Sequence, residues 1–174
     1  GKNSLEKALE LNPNGELVNG LMGLYYRRQG FLTYALEYLQ KALIANPRAS
    51  VWEIEIGATL ADNGQLEEAL AAYQAAIEID DSKKESWEAL AKFCLTHNYQ
   101  VAEVGLAAAL QALALDADNP ANQDLVGTAY MIMGELEQAE KYFNKALAND
   151  TGQAAILIHL GQLYLNRGDK EKAL

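Results

Sequence analysis

Apolar residues recur at spacings of three and four along most of the chain, as in Ala35, Tyr38, Leu39, Ala42 and Leu43, with polar residues between them. This spacing gathers the apolar side chains on one face of an α-helix, whose period is about 3.6 residues. No useful length of chain alternates with period two, so no strand is predicted. Punctuation breaks the helical pattern at regular places. Gln29-Gly30, Asn63-Gly64, Met133-Gly134 and Arg167-Gly168 suit the left-handed residue that ends a helix. Asn12-Pro13, Asn46-Pro47 and Asn119-Pro120 mark further boundaries, because the residue before a proline is pushed out of the helical region.

The pattern is periodic on a larger scale. Five segments end alike, with leading alanines Ala8, Ala42, Ala76, Ala112 and Ala146 that lie 34, 34, 36 and 34 residues apart. A period in this range marks stacked helical units, each too small to bury its own apolar face without a neighbour. Gly23, Gly57, Gly127 and Gly161 keep the same register, and Tyr26, Leu60, Tyr130 and Tyr164 follow each at three. Small residues, Gly23, Gly57, Ala91, Gly127 and Gly161 in one helix and Ala35, Ala69 and Ala139 in the next, let backbones approach while large apolar residues fill the space between.

These residues carry a resemblance to the tetratricopeptide repeat, with its pattern W-x2-L-G-x2-Y, then A-x3-F-x2-A, then P. The resemblance implies an all-α, right-handed α-superhelical solenoid of antiparallel helix pairs, A and B, over essentially the whole chain. The expected repeats are 16–49, 50–83, 84–119, 120–153 and a truncated 154–174, with 1–15 as helix B of a preceding repeat. The chain is expected to be part of a longer array. Leu157, Leu160, Leu163 and Tyr164 would then lack the cover of a complete helix B, with self-association through the truncated ends or fraying of 168–174 as the consequence. Repeat 84–119 is two residues longer. Cys94 to Gly105 spans eleven residues where Tyr26 to Ala35 spans nine, so both extra residues are expected in its A-to-B turn, where Thr96 to Gln100 replaces the glycine turn.

Charge narrows the partners. The 174 residues carry 14 Lys and Arg against 24 Asp and Glu, a net charge of −10, without a basic run. Phosphate backbones and anionic membrane surfaces are held by clustered cations, so neither nucleic acid nor membrane is expected. There is no phosphate-binding glycine loop, and the two histidines, His97 and His159, stand apart from other ligand types, so no metal or other cofactor is expected. Cys94 occupies a tyrosine position of the repeat and reads as a core thiol, not a nucleophile. No catalytic constellation is expected. Asn149-Asp150-Thr151 fits a glycosylation sequon, which matters only in a secreted protein.

What remains is surface. In proteins similar to this family, helix A positions 2, 5, 6, 9, 12 and 13 line a concave groove. The candidates here are Leu17, Gly20, Leu21, Leu24, Arg27 and Arg28; Val51, Ile54, Glu55, Ala58 and Asp62; Glu85, Glu88, Ala89 and Lys92; Asp124, Leu125, Thr128, Met131 and Ile132; and Ile158, His159, Gln162 and Asn166. The family's carboxylate clamp for the acidic tails of heat-shock chaperones requires cations and amides where this chain has Gly20, Leu24, Ile54, Ala58, Glu85, Glu88 and Ala89, so that partner is not expected. The resemblance implies a non-catalytic protein-interaction scaffold holding a peptide or helix. Apolar anchors would lie among Leu17, Leu21, Leu24, Val51 and Ile54, and neutral or basic residues would face Glu55, Glu85, Glu88 and Asp124. Alternatives are a structural spacer that makes contacts through its ends, and the recruiting arm of a larger enzyme.

Overall fold

The computed structural model describes residues 2–149 and 154–173, so Asp150 and Thr151 of the sequon lie outside the described residues. Ten α-helices and one short π-helical segment account for most of these residues, and no strand occurs among them. The helices fall into two compact units, Gly1–Asp81 and Ser82–Leu174. The first holds α1 (Lys2–Leu11), α2 (Glu16–Arg28), α3 (Leu32–Ala45), α4 (Ser50–Asp62) and α5 (Leu66–Ile79). The second holds α6 (Lys84–Thr96), a π-helical turn (Val101–Gly105), α7 (Leu106–Leu115), α8 (Pro120–Ile132), α9 (Leu136–Asn149) and α10 (Ala154–Arg167).

Helices α2, α4, α8 and α10 end on the same backbone device. Gly30, Gly64, Gly134 and Gly168 have φ between 78° and 81°, a conformation that costs an L-side chain but not glycine. At the first, the Gly30 amide donates to the Arg27 carbonyl at 2.9 Å and the Phe31 amide reaches back to the Tyr26 carbonyl at 3.0 Å, satisfying carbonyls that the helix end would leave orphaned. The link into α8 is capped by a side chain, whereas α2, α4 and α6 open without one. Asn119 is extended and its side chain accepts from the Ala121 amide at 2.9 Å, with Pro120 opening α8 where an amide would be unpaired in any case.

Small residues in A helices accept large ones from B helices. A Cβ on Gly23 would lie 2.6 Å from Leu39 Cγ, and one on Gly127 would lie 2.6 Å from the Phe143 ring. Leu39 anchors the core of the first unit with Ala42, Trp52, Ile56 and Ala72. Phe143 anchors the second with Ala139, Ala146, Ile156, Leu160 and Leu163. The expectation that Leu160 and Leu163 lack cover is thereby corrected: both are buried against α9, which supplies their apolar neighbours, while Leu157 is exposed. Buried amides stitch the inter-pair links. Asn19 donates to the carbonyls of Pro13 and Gly15, and Asn122 to that of Ala112.

The third pair absorbs its two extra residues in two places. Asn98, at φ 47°, stands where the other turns have glycine, and the Tyr99 amide still bonds back to the Cys94 carbonyl at 2.9 Å. Gln100, also at φ 47°, is one added turn residue. The second is taken up at the start of helix B, where the Gly105 amide bonds to the Gln100 carbonyl five residues earlier. The π turn and α7 make fifteen residues against fourteen in α3, α5 and α9. The expectation that both extra residues lengthen the turn is therefore half right, because a π turn takes an extra residue without breaking the helix.

Candidate functional site

In the first unit, α2 and α4 lie side by side and expose the apolar residues expected of a groove. Leu17 is 65% exposed, Leu21 40% and Val51 47%, while Leu24 and Ile54 are half-buried. A helix keeps residues four and seven apart on one face, which is why Leu17, Leu21, Leu24 and the exposed Arg28 align along α2. Gly20 is not part of that floor. It is buried, and a Cβ there would lie 2.1 Å from the Trp52 ring, so its task is to admit the indole. Glu16 receives that indole's N–H at 2.9 Å and the Asn46 amide at 2.9 Å.

The charged end of this face is internally satisfied. Arg27 donates to Glu55 at 3.0 Å and to Asp62 at 2.7 Å, bridging α2 to α4 through one guanidinium. A cleft of about 270 Å³ lies there, lined by Leu24, Arg27, Arg28 and Asp62. The fork shape of arginine suits two carboxylates at once, whereas a lysine would hold one.

In the second unit the candidates behave unevenly. Glu85 is exposed, whereas Glu88 sits partly buried with Lys92 at 3.5 Å. Ile158 is 68% exposed, and Ile132 is also exposed. Leu125, read from the sequence as groove surface, is buried and belongs to the core, because α8 turns that face inward. Thr128 is half-buried, and its hydroxyl has no hydrogen-bond partner among the described residues. His159 Nδ1 lies 2.7 Å from Asp124 Oδ1, tying α10 to α8, and its ring packs 5.6 Å from that of Phe143. The hydrogen bond to Asp124 raises the histidine pKa, against burial, which lowers it.

Glu55, Glu88 and Asp124 therefore each have a basic neighbour in their own unit, and Glu85 is the exposed acid of the expected set. The pairs of Glu55 with Arg27 and of Asp124 with His159 depend on which residues of neighbouring helices meet, so sequence reasoning could not foresee them, whereas Glu88 and Lys92 stand four apart on α6. Such reasoning also missed Tyr26 and Tyr38, which line a second cleft with Glu6 and Glu10. A trace of that cleft was present in the chain: Phe31 and Tyr34 fall where the second pair has Gln65 and Glu68 and the fourth has Glu135 and Gln138.

Among the described residues, no group of three or more His, Cys, Asp and Glu is placed to hold a metal ion, and no helix is long and apolar enough to cross a membrane. Burial pushes the Cys94 thiol up to about 11, far from the range of a thiolate nucleophile.

Residues 21–84 and 130–174 each match a family model of the tetratricopeptide repeat, and the chain belongs to that family. No curated protein matches it. Among solved structures it is similar to PilW, described as a widely conserved type IV pilus biogenesis factor, at 20% identity and TM-score 0.83, over 99% of this chain and 79% of that one. PilF of Pseudomonas aeruginosa aligns at 20% identity and TM-score 0.76, over 99% and 78% of the two chains. YrrB, described as a protein of this repeat class with an unusual peptide-binding site, aligns at 20% identity and TM-score 0.69, over 98% and 87%. At such identities the likeness establishes the fold, an all-α solenoid of helix pairs.

Proposed function

We propose that the chain is a non-catalytic scaffold that holds a peptide or helix of another protein along the groove face of its A helices. The observation that carries this reading is the run of Leu17, Leu21 and Val51, exposed on neighbouring helices of one unit. Full burial of a fully exposed side chain of this kind contributes roughly 1.5–3 kcal/mol, so covering these three, about half exposed, contributes about half of that each, and a helix or extended segment with apolar residues at matching spacing covers several together. The peptide-binding site ascribed to YrrB, on a related fold, is consistent with this use. With Glu55 and Asp62 held by Arg27, apolar contact supplies most of the affinity in the first unit. The partner is neutral or basic, given the net charge of −10 and the exposed Glu85.

Fluorescence anisotropy with a labelled amphipathic peptide of leucine and lysine tests the reading. Leu17→Asp with Leu21→Asp should lower affinity by at least about tenfold without changing the helical circular dichroism, because both residues are exposed. Unchanged affinity would remove this face from the account.

A further inference from the structure

Helix α2 has a second face. A helix advances about 100° per residue, which sets Met22 and Tyr26 roughly opposite Leu17, Leu21 and Leu24. There α1, α2 and α3 bound a cleft of about 480 Å³ lined by Glu6, Leu9, Glu10, Met22, Tyr26 and Tyr38. Leu9 and Met22 supply an apolar floor. The Tyr26 and Tyr38 rings stack at 5.5 Å and 13°. The exposed Glu10 has no ion-pair partner among the described residues.

The cleft opens onto an aromatic rim. Tyr26 also meets Tyr34 at 5.4 Å and Phe31 at 6.4 Å, and these two rings are 55% and 56% exposed. Folding alone does not call for them, because the corresponding places in the second and fourth pairs hold Gln65 with Glu68 and Glu135 with Gln138. Exposed tyrosine and phenylalanine beside a pocket are the composition of an interface centre. The chain's own chemistry indicates what the pocket accepts: the Lys41 ammonium already lies 4.8 Å from the centre of the Tyr38 ring. Carboxylates around π-faces favour a second cation, and a guanidinium also stacks on the rings.

We propose that this cleft is a docking site, distinct from the groove, for an arginine side chain that a partner protein presents between apolar residues. The guanidinium enters between Glu6, Glu10 and the Tyr26–Tyr38 pair, and the flanking apolar residues cover Phe31 and Tyr34.

The test uses a short peptide, blocked at both ends, with arginine between leucines, and its counterpart with neutral, near-isosteric citrulline. Both are titrated into the whole chain and followed by amide NMR. The arginine peptide should shift amides of α1 and those around Tyr26, Tyr34 and Tyr38, and the citrulline peptide should bind at least about tenfold more weakly, as expected for loss of a desolvated cation–π contact and its charge partner. Phe31→Gln with Tyr34→Glu installs the residues of the second pair and so keeps a helix pair already tolerated in this chain, yet it should abolish the shifts. Glu10→Gln should weaken binding, whereas Leu17→Asp with Leu21→Asp should leave it intact. Equal binding of the two peptides, shifts confined to α2 and α4 residues of the groove, no binding at millimolar peptide, or full binding by the Phe31 and Tyr34 variant would each overturn the proposal.

Discussion

The third helix pair and its regular counterparts solve one packing problem in two ways. In the first, second and fourth pairs a glycine of helix A receives a large residue of helix B: Gly23 takes Leu39, Gly57 takes Tyr73 and Gly127 takes Phe143. In the third pair the corresponding positions are Ala91 and Ala109, both buried. The close approach moves one turn along, to Gly105, where a Cβ would lie 2.8 Å from Cys94 Cβ. The turns diverge in parallel, since glycine at φ near 80° gives way to Asn98 and Gln100 at φ 47° and a π turn. The small residues keep their places in the repeat, Ala91 where Gly23 stands and Gly105 where Ala35 stands. What the third pair gives up is the large residue of helix B, with Ala109 in place of Leu39, Tyr73 and Phe143.

The sharpest way to break this comparison is Cys94→Tyr, which restores the residue that Tyr26, Tyr130 and Tyr164 occupy elsewhere. Cys94 is fully buried beside Gly105, so the ring should overpack the site and cost about 1–3 kcal/mol. Chemical denaturation measures it, and a neutral or stabilising result would show that the third pair keeps the common spacing. A smaller loss is expected for Gly64→Ala. A Cβ there meets nothing within 4 Å, so the cost of about 1 kcal/mol is conformational alone. In the third turn the sign should reverse. Gln100→Gly relieves left-handed strain but adds freedom to the unfolded chain, leaving a gain of about 0.5 kcal/mol, and a loss in the same denaturation series would mean that the Gln100 side chain contributes more than its backbone costs.

The smallest effect lies in the contact between α8 and α10. The pKa of His159 is raised above its ordinary value of 6.5, first by the hydrogen bond to Asp124, so the folded state binds its proton more tightly than the unfolded state does. The stabilisation is complete below about pH 6.5 and is lost as pH rises through the folded value. Thermal melts from pH 6 to pH 8 should show a falling Tm whose slope is reduced in Asp124→Asn. An equal slope in both proteins would detach the pH response from this pair.

Much of the fold was legible in the chain because it is written in local, repeated terms. The apolar spacing specifies helices, and the glycines at 30, 64, 134 and 168 end them for reasons internal to the backbone. The period specifies that they stack, since one pair cannot cover itself. The extra length near Cys94 was visible as well, although its division between turn and π helix was not, because hydrogen-bond register within a helix leaves no compositional mark.

The candidate site was less legible. Exposure of Leu17, Leu21 and Val51 follows from helix periodicity, and so does the alignment of Arg28 with them. The burial of Gly20 and Leu125 does not, because it depends on Trp52 reaching back to α2 and on the way α8 faces its neighbours. Nor does periodicity say that Arg27 joins Glu55 to Asp62, that His159 meets Asp124, or that Tyr26 and Tyr38 close a cleft over Glu6 and Glu10. The sequence by itself determined which faces are apolar and where the helices stop. Tertiary structure alone decided which charges of different helices neutralise one another and which rings enclose a space, because such a carboxylate's partner is set by distances of a few ångströms between helices roughly thirty residues apart in the chain.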